Sequence, residues 1–201
     1  MTTRVSRSDS GSDSRPSSRA KRPDAPAGRE EVAAAILTAA AELFAEHGPA
    51  ATSIRDIAAR SKVNHGLVFR HFGTKEQLVG AVLDHLGANL TELLAGEVPA
   101  EQIDAAADQQ LRVMARTLLD GYPAGQLQKH FPNVAALLDQ VRLRHDSDAG
   151  ARLAVANALA LQFGWRLFEP ILRAAAGLEE LPATELRAAV GDEMARILNS
   201  G

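Results

Sequence analysis

Residues 52–78 read TSIRDIAARSKVNHGLVFRHFGTKEQL, and this stretch decides the fold. Thr52 or Ser53 is placed to cap a helix, and Asp56 follows Ser53 at the spacing of a capping-box partner. Ile54, Ile57 and Ala58 give that helix an apolar face. Residues 61–64 read as a tight turn. A second short helix then runs to about His71, and Gly73 ends it. Thr74-Lys75-Glu76-Gln77 is another capping box, and it opens a helix through Leu78, Val82, Leu86 and Leu90 to about Leu94. Gly96 and Pro99 punctuate its end.

Ile57, Ala58, Val63, Val68 and Phe72 suit two short helices crossing steeply, with Ala58 small where they approach. The opposite face of the second short helix carries Asn64, His65, Leu67, Phe69, Arg70 and His71. Several of these side chains donate hydrogen bonds of the kind made to base edges or phosphates. Two short helices joined by a tight turn, behind a longer helix, have the layout of a helix-turn-helix.

The brace lies upstream. Val32, Ile36, Ala39, Ala40, Leu43 and Phe44 recur at helical spacing from about Glu30, and His47-Gly48-Pro49 stops that helix. Downstream the pattern stays helical. Segments are expected over residues 103–119, stopped at Gly121-Tyr122-Pro123, then over 132–145, 149–176 and 182–198. Ala and Leu dominate and β-branched residues are sparse, so the expected class is all-α. Residues 1–28 form a Ser-rich, basic tail with too little apolar surface to offset the entropy of ordering. The tail is read either as a solvated segment or as an arm that touches DNA. The expected division is this tail, a helix-turn-helix domain over 29–74 and a larger helical domain over 75–201, with 75–94 as the connecting helix.

Charge bears on where a polyanion would bind. The chain has 201 residues and a net charge of -3, which alone argues against a general nucleic-acid binder. Its distribution is uneven: Arg4, Arg7, Arg15, Arg19, Lys21 and Arg22 face only Asp9, Asp13 and Asp24 in the tail. Signs balance over residues 29–80, and the remainder is acidic. Any DNA contact therefore belongs to the N-terminal part. The chain has no cysteine, which removes disulfides, thiolate catalysis and Cys-based zinc sites. Residues 1–14 lack the apolar core of a secretory signal, and the longest uncharged run, 153–165, is too short to cross a bilayer. A cytoplasmic protein is expected.

The long motif resembles the TetR family of bacterial repressors, whose signature is approximately T-x-R-D-I-A, a turn, then V-S-x-G-x-x-Y-x-x-F-x-x-K-x-x-L. Thr52, Arg55, Asp56, Ile57, Ala58, Val63, Gly66, Phe72, Lys75 and Leu78 supply it here. The resemblance is strong over about residues 30–90. Beyond that it rests on helical layout and on GWRLFEPILRAAAG at 164–177.

The resemblance implies a homodimer that binds a double-stranded, pseudopalindromic operator and is released by a small effector. It places Thr52 and Ser53 near a phosphate and points Arg55 toward DNA. Asn64, His65, Gly66 and Leu67 would approach base edges, Phe69, Arg70 and His71 would lie along the groove, and Lys75 would meet a phosphate. Four positions depart from the family pattern. Ser61-Lys62 replaces Ala-Gly in the turn, so Lys62 must take a backbone angle suited to glycine, and its charge is a further candidate for phosphate. Phe69 replaces Tyr, and Leu67 replaces Thr or Ser and suits a thymine methyl.

In the C-terminal part, Met114, Leu118, Phe131, Leu138, Phe163 and Trp165 are candidates to line an apolar ligand pocket, or are plain core side chains. The many aliphatic side chains suit an apolar ligand. Leu161, Phe168, Leu172, Leu186, Val190, Met194 and Ile197 are candidates for a dimer interface built from the last two helices. Arg166 and Glu169 are spaced to pair along one helix. An enzyme is the reading from another class. It lacks support, because no G-x-G-x-x-G, P-loop, H-E-x-x-H or G-x-S-x-G motif occurs and the histidines are scattered. No cofactor or metal is expected. A helical adaptor that keeps the fold without binding DNA is the second alternative.

Overall fold

The structure, a computed structural model, describes residue 1 and residues 28–200. The tail expected over residues 1–28 lies, apart from its two ends, outside the described residues. The described residues form helices α1 (Arg29–Ala51), α2 (Ile54–Arg60), α3 (His65–Phe72), α4 (Lys75–Ala95), α5 (Ala100–Leu119), α6 (Ala124–Leu127), α7 (Pro132–Arg142), α8 (Asp148–Ala176) and α9 (Ala183–Asn199). No strand occurs among them.

The helix ends follow local chemistry. Ser53 accepts from the Asp56 N–H while the Asp56 carboxylate accepts from the Ser53 N–H at 2.9 Å. Thr74 and Gln77 make the same reciprocal pair at the start of α4. The break in α1 falls at Gly48, whose φ of 81° is open to glycine and costly for other residues. Pro49 then begins a last short turn. Lys62 stands in the left-handed region at φ 56°, as the resemblance implies from the family's glycine at that position.

One core runs through the N-terminal half. Ile36 and Phe44 of α1, Ile57 of α2, Val68 of α3 and Leu78, Val79, Val82 and Leu83 of α4 are all buried. The same cluster takes in Val113 of α5 and Ala124 of α6. Burial of each large side chain contributes about 1.5–3 kcal/mol. The three-helix head is therefore built onto α4 and α5 without an apolar gap. A second cluster joins α7 and α8 through Val141, Ala151, Ala154 and Val155, and Leu138 and Ile197 pack against it.

Two expectations about side chains are corrected here. Arg166 does not pair with Glu169. It reaches α5, where Asp104 and Asp108 accept at 2.6 and 2.5 Å, and Glu169 pairs with Arg173 at 2.8 Å. Two carboxylates one helical turn apart on α5 outcompete one on α8 because they bind both ends of the guanidinium. Leu186, read as an interface residue, is buried inside the protomer, and Ile197 is partly buried against the second cluster. The helix α6 was not expected, since four residues are too few to show a period.

Candidate nucleic-acid interface

The head leaves one face of α3 exposed. Val68 is its buried anchor, and Leu67 and Phe72 pack beside it on the core. His65, Gly66, Phe69 and Arg70 are exposed on the other side. The rings of His65 and Phe69 meet edge to face at 5.1 Å, which holds one turn of this surface in a fixed shape. Asn64 is the N-cap of α3, with its Oδ1 accepting the Gly66 N–H at 2.8 Å. His71 is half-buried and tilts against Phe72. Leu67 also turns partly into the core, so less of it than expected faces outward.

The flanking residues divide into outward and inward groups. Arg55 and Ser53 are exposed on α2 and its cap. Thr52 is corrected: its side chain is buried, and its hydroxyl donates to the Gly48 carbonyl at 2.8 Å. It braces the turn instead of facing a phosphate. Arg60 is also held back, because Glu42 and Glu46 of α1 bind its guanidinium at 3.0 and 3.2 Å. Lys75, half-buried at the start of α4, donates to the Ala50 carbonyl at 3.4 Å.

Two long-range contacts, one from the head to α5 and one from α4 to the segment after α6, were not legible in the sequence. Asp120, at the end of α5, accepts the Ala50 N–H at 2.7 Å. Asp84 of α4 accepts the N–H groups of Lys129 and His130, both at 2.9 Å, just after α6. Beside it, a Cβ on Gly80 would lie 2.5 Å from the Leu127 carbonyl oxygen. Glycine is thus what lets α6 seat on α4.

Beyond α6, a cavity of about 340 Å³ lies between α4, α5, α7 and α8. Met114 and Phe163 line it as expected, with Leu90, Leu94, Ile103 and Leu137. The other four pocket candidates are placed elsewhere. Leu118 and Phe131 are exposed, because each falls at the edge of its helix where nothing covers it. Leu138 points to the α7–α8 cluster. Trp165 lines a separate cleft between α5, α8 and α9. Gln110, Asn133 and Gln162 supply uncharged polar groups, and Arg166 the one charge, among the described residues. Burial opposes the Arg166 charge, but hydrogen bonds to Asp104 and Asp108 outweigh it and raise its pKa.

On the outer side of α8, Leu153, Leu167, Phe168 and Ile171 are exposed. Leu161, Leu172, Val190 and Met194 are partly covered. A Cβ on Gly164 would meet nothing within 4 Å, so this face is open within the protomer. None of the described helices is long and apolar enough to cross a membrane.

Comparison with known proteins agrees with this geometry. Residues 36–82 match the family described as bacterial regulatory proteins, tetR family. HTH-type transcriptional repressor Rv3405c of Mycobacterium tuberculosis is 74% identical over 173 residues, covering 86% of this chain and 92% of that protein. HTH-type transcriptional regulator TtgR of Pseudomonas putida is 27% identical over 140 residues, or 65% of this chain and 67% of that one. A crystal structure of a tetR family transcription regulator from Shewanella sp. PV-4 shares the fold at a TM-score of 0.50 and 16% identity, covering 81% and 95% of the two chains. A head built on α1–α3, a relative this similar over almost its whole length and a family match centred on the helix-turn-helix lead to one conclusion: the chain belongs to the TetR family of bacterial transcriptional regulators.

Proposed function

We propose that this chain represses transcription as a homodimer, gripping a pseudopalindromic operator with two copies of α3 and releasing it when a small, largely apolar ligand fills the cavity. One observation carries the reading. The outward face of α3, with His65, Gly66, Phe69 and Arg70, stands on a helix whose other face is locked by Val68. A rigid helix with exposed donors fits a major groove. Arg55 and Ser53 on the flank, Lys62 in the turn and Lys75 at the start of α4 are placed to steady the grip on phosphates. Asn64, Leu67 and His71 complete the α3 contribution, with smaller exposed surfaces at Leu67 and His71.

The open face of α8, with Phe168 and Ile171 exposed beside Gly164, supports a second copy as the dimer partner. Leu161, Leu172, Val190 and Met194 border that face. The helix α4 supports coupling, because it starts at the DNA-facing head and ends at cavity residues Leu90 and Leu94. Release requires the ligand to favour one separation of the heads over the other. No residue has a catalytic role in this scheme.

The test is a salt titration by fluorescence anisotropy against the DNA upstream of the chain's own gene, with scrambled DNA as control. Specific, salt-sensitive binding is expected. Arg55→Ala should make the salt slope shallower by roughly 0.9 per protomer contact, while Arg60→Ala, already engaged by Glu42 and Glu46, should leave it unchanged. Equal weak binding to both DNAs would sink the repressor reading for that site and favour an adaptor.

A further inference from the structure

Two hollows meet at Arg166. The cavity between α4, α5, α7 and α8 lies on one side, and the cleft between α5, α8 and α9 on the other, with Gln162 and Arg166 lining both. A guanidinium at the end of an apolar cavity would ordinarily select a carboxylate. This one is already occupied: Nη2 donates to Asp104 and Nη1 to Asp108, at 2.6 and 2.5 Å. The trio carries one positive and two negative charges. An entering anion would have to displace a bound carboxylate and face the other. Failing that, it would shed its water in an apolar space without a cation to replace it, at a cost of several kcal/mol. An uncharged hydroxyl, carbonyl or amide meets no such barrier, because Gln110 and Gln162 offer both donors and acceptors, and Asn133, whose Oδ1 already accepts from the Thr91 hydroxyl, adds its amide N–H groups.

We propose that the cavity takes an uncharged amphipathic molecule, with an apolar body and one hydrogen-bonding end, and rejects carboxylates through the Asp104–Arg166–Asp108 trio. The volume of about 340 Å³ sits at the small end of ligand sites, which limits the body to a medium-length chain or a compact ring system. This inference rests on the ligand-responsive reading above and specifies the class of effector.

The probes are 1-decanol and sodium decanoate, which share a chain and differ in the charge of the end group. Binding of either probe is read by isothermal titration calorimetry, since Trp165, the chain's single tryptophan, lines the neighbouring cleft and not the cavity. Both probes are titrated into the full chain at pH 7.5, below micellar concentrations. Wild type should bind 1-decanol saturably and decanoate at least tenfold more weakly. The double variant Asp104→Asn with Asp108→Asn removes both negative charges from the guanidinium and leaves its charge uncompensated. It should bind decanoate at least tenfold more tightly than wild type, with 1-decanol within threefold. That gain separates the trio from general hydrophobicity, and neutralising the remote Glu30 and Asp146 should not produce it. If circular dichroism finds the double variant unfolded, Asp108→Asn alone keeps one ion pair and should still raise decanoate affinity about threefold. Equal or tighter binding of decanoate to wild type, no gain in the folded variants, or binding of neither probe overturns the proposal. Operator binding is measured separately on the same protein, so loss of the regulator reading is recognised independently of the cavity's preference.

Discussion

Asp120 Oδ2 accepts the backbone N–H of Ala50 at 2.7 Å, across seventy residues of chain. Ala50 sits in the short turn between the Gly48 break and the N-cap of α2, and its carbonyl accepts from Lys75. One residue is therefore gripped from α5 through its N–H and from α4 through its carbonyl. Helix α5 also walls the cavity through Ile103 and Met114. Asp120→Ala should leave the chain folded but weaken operator binding about fivefold, on the basis of ~1 kcal/mol for one hydrogen bond. The salt slope should not change, since no phosphate contact is lost. Asp120→Asn keeps an acceptor and should restore most of the affinity. Anisotropy on both variants checks this, and wild-type affinity in Asp120→Ala would refute the tie.

The left-handed Lys62 makes a second test. A side chain at φ 56° costs about 1–2 kcal/mol, and glycine returns about 0.5–1 kcal/mol of that as entropy in the unfolded chain. Lys62→Gly should therefore raise stability by roughly 0.5–1 kcal/mol, read as a higher denaturant midpoint. Operator affinity should fall in the same variant. Strain and charge at this position would then be shown to serve opposite ends.

Glycines at two places in the fold should answer a methyl group differently. Gly80→Ala drives a Cβ toward the Leu127 carbonyl and should destabilise the protein by about 1–3 kcal/mol. Gly164→Ala meets open space within the protomer and, inside a helix, should gain up to about 1 kcal/mol there. If α8 faces its mate, the same change should raise the dimer dissociation constant in sedimentation experiments. An unaltered dimer with Gly164→Ala would place the interface elsewhere.

His85 on α4 provides a pH test. Burial pushes its pKa down, with Glu92 opposing more weakly. The unfolded chain then takes up the proton first as pH falls from neutrality. The stability that depends on neutral His85 is complete above about pH 6.5 and is lost between there and the lower folded-state value. Asp56 and Glu76, held below the usual carboxylate range by hydrogen bonds, first from Ser53 and from the Glu76 backbone respectively, lose their contribution only in more acidic solution. Thermal melts between pH 7.5 and 5.5 should decline for wild type and flatten for His85→Gln.

The head was legible because its signals are local. Ser53 with Asp56, Thr74 with Gln77, and the glycines at 48 and 73 each act within a few residues, and their spacing fixes the helix ends. Lys62 was legible through the resemblance, whose pattern carries glycine at that position. Thr52 was misread because its type suits a phosphate, whereas burial against Gly48 depends on where α1 bends. The C-terminal half was read by helix but not by neighbour. Leu118 and Met114 lie one turn apart on α5, yet Met114 lines the cavity and Leu118 is exposed. Their faces are set by α7 and α8, which periodicity on α5 does not encode. Asp120, Asp84 and Arg166 act across long stretches of chain, so no local pattern marks them.

The seat of α6 on Gly80 gives α4 a fulcrum. A tilt of this helix would pivot where the Leu127 carbonyl comes so close that a Cβ on Gly80 would lie 2.5 Å from it. The arm from Gly80 to Lys75 is about 8 Å and the arm to Leu90 about 15 Å, at 1.5 Å per residue. Movement at the cavity end would then arrive at the Lys75 end reversed in direction and roughly halved, with force correspondingly multiplied. Geared in this way, a weakly bound guest trades travel for leverage against a firmly held duplex.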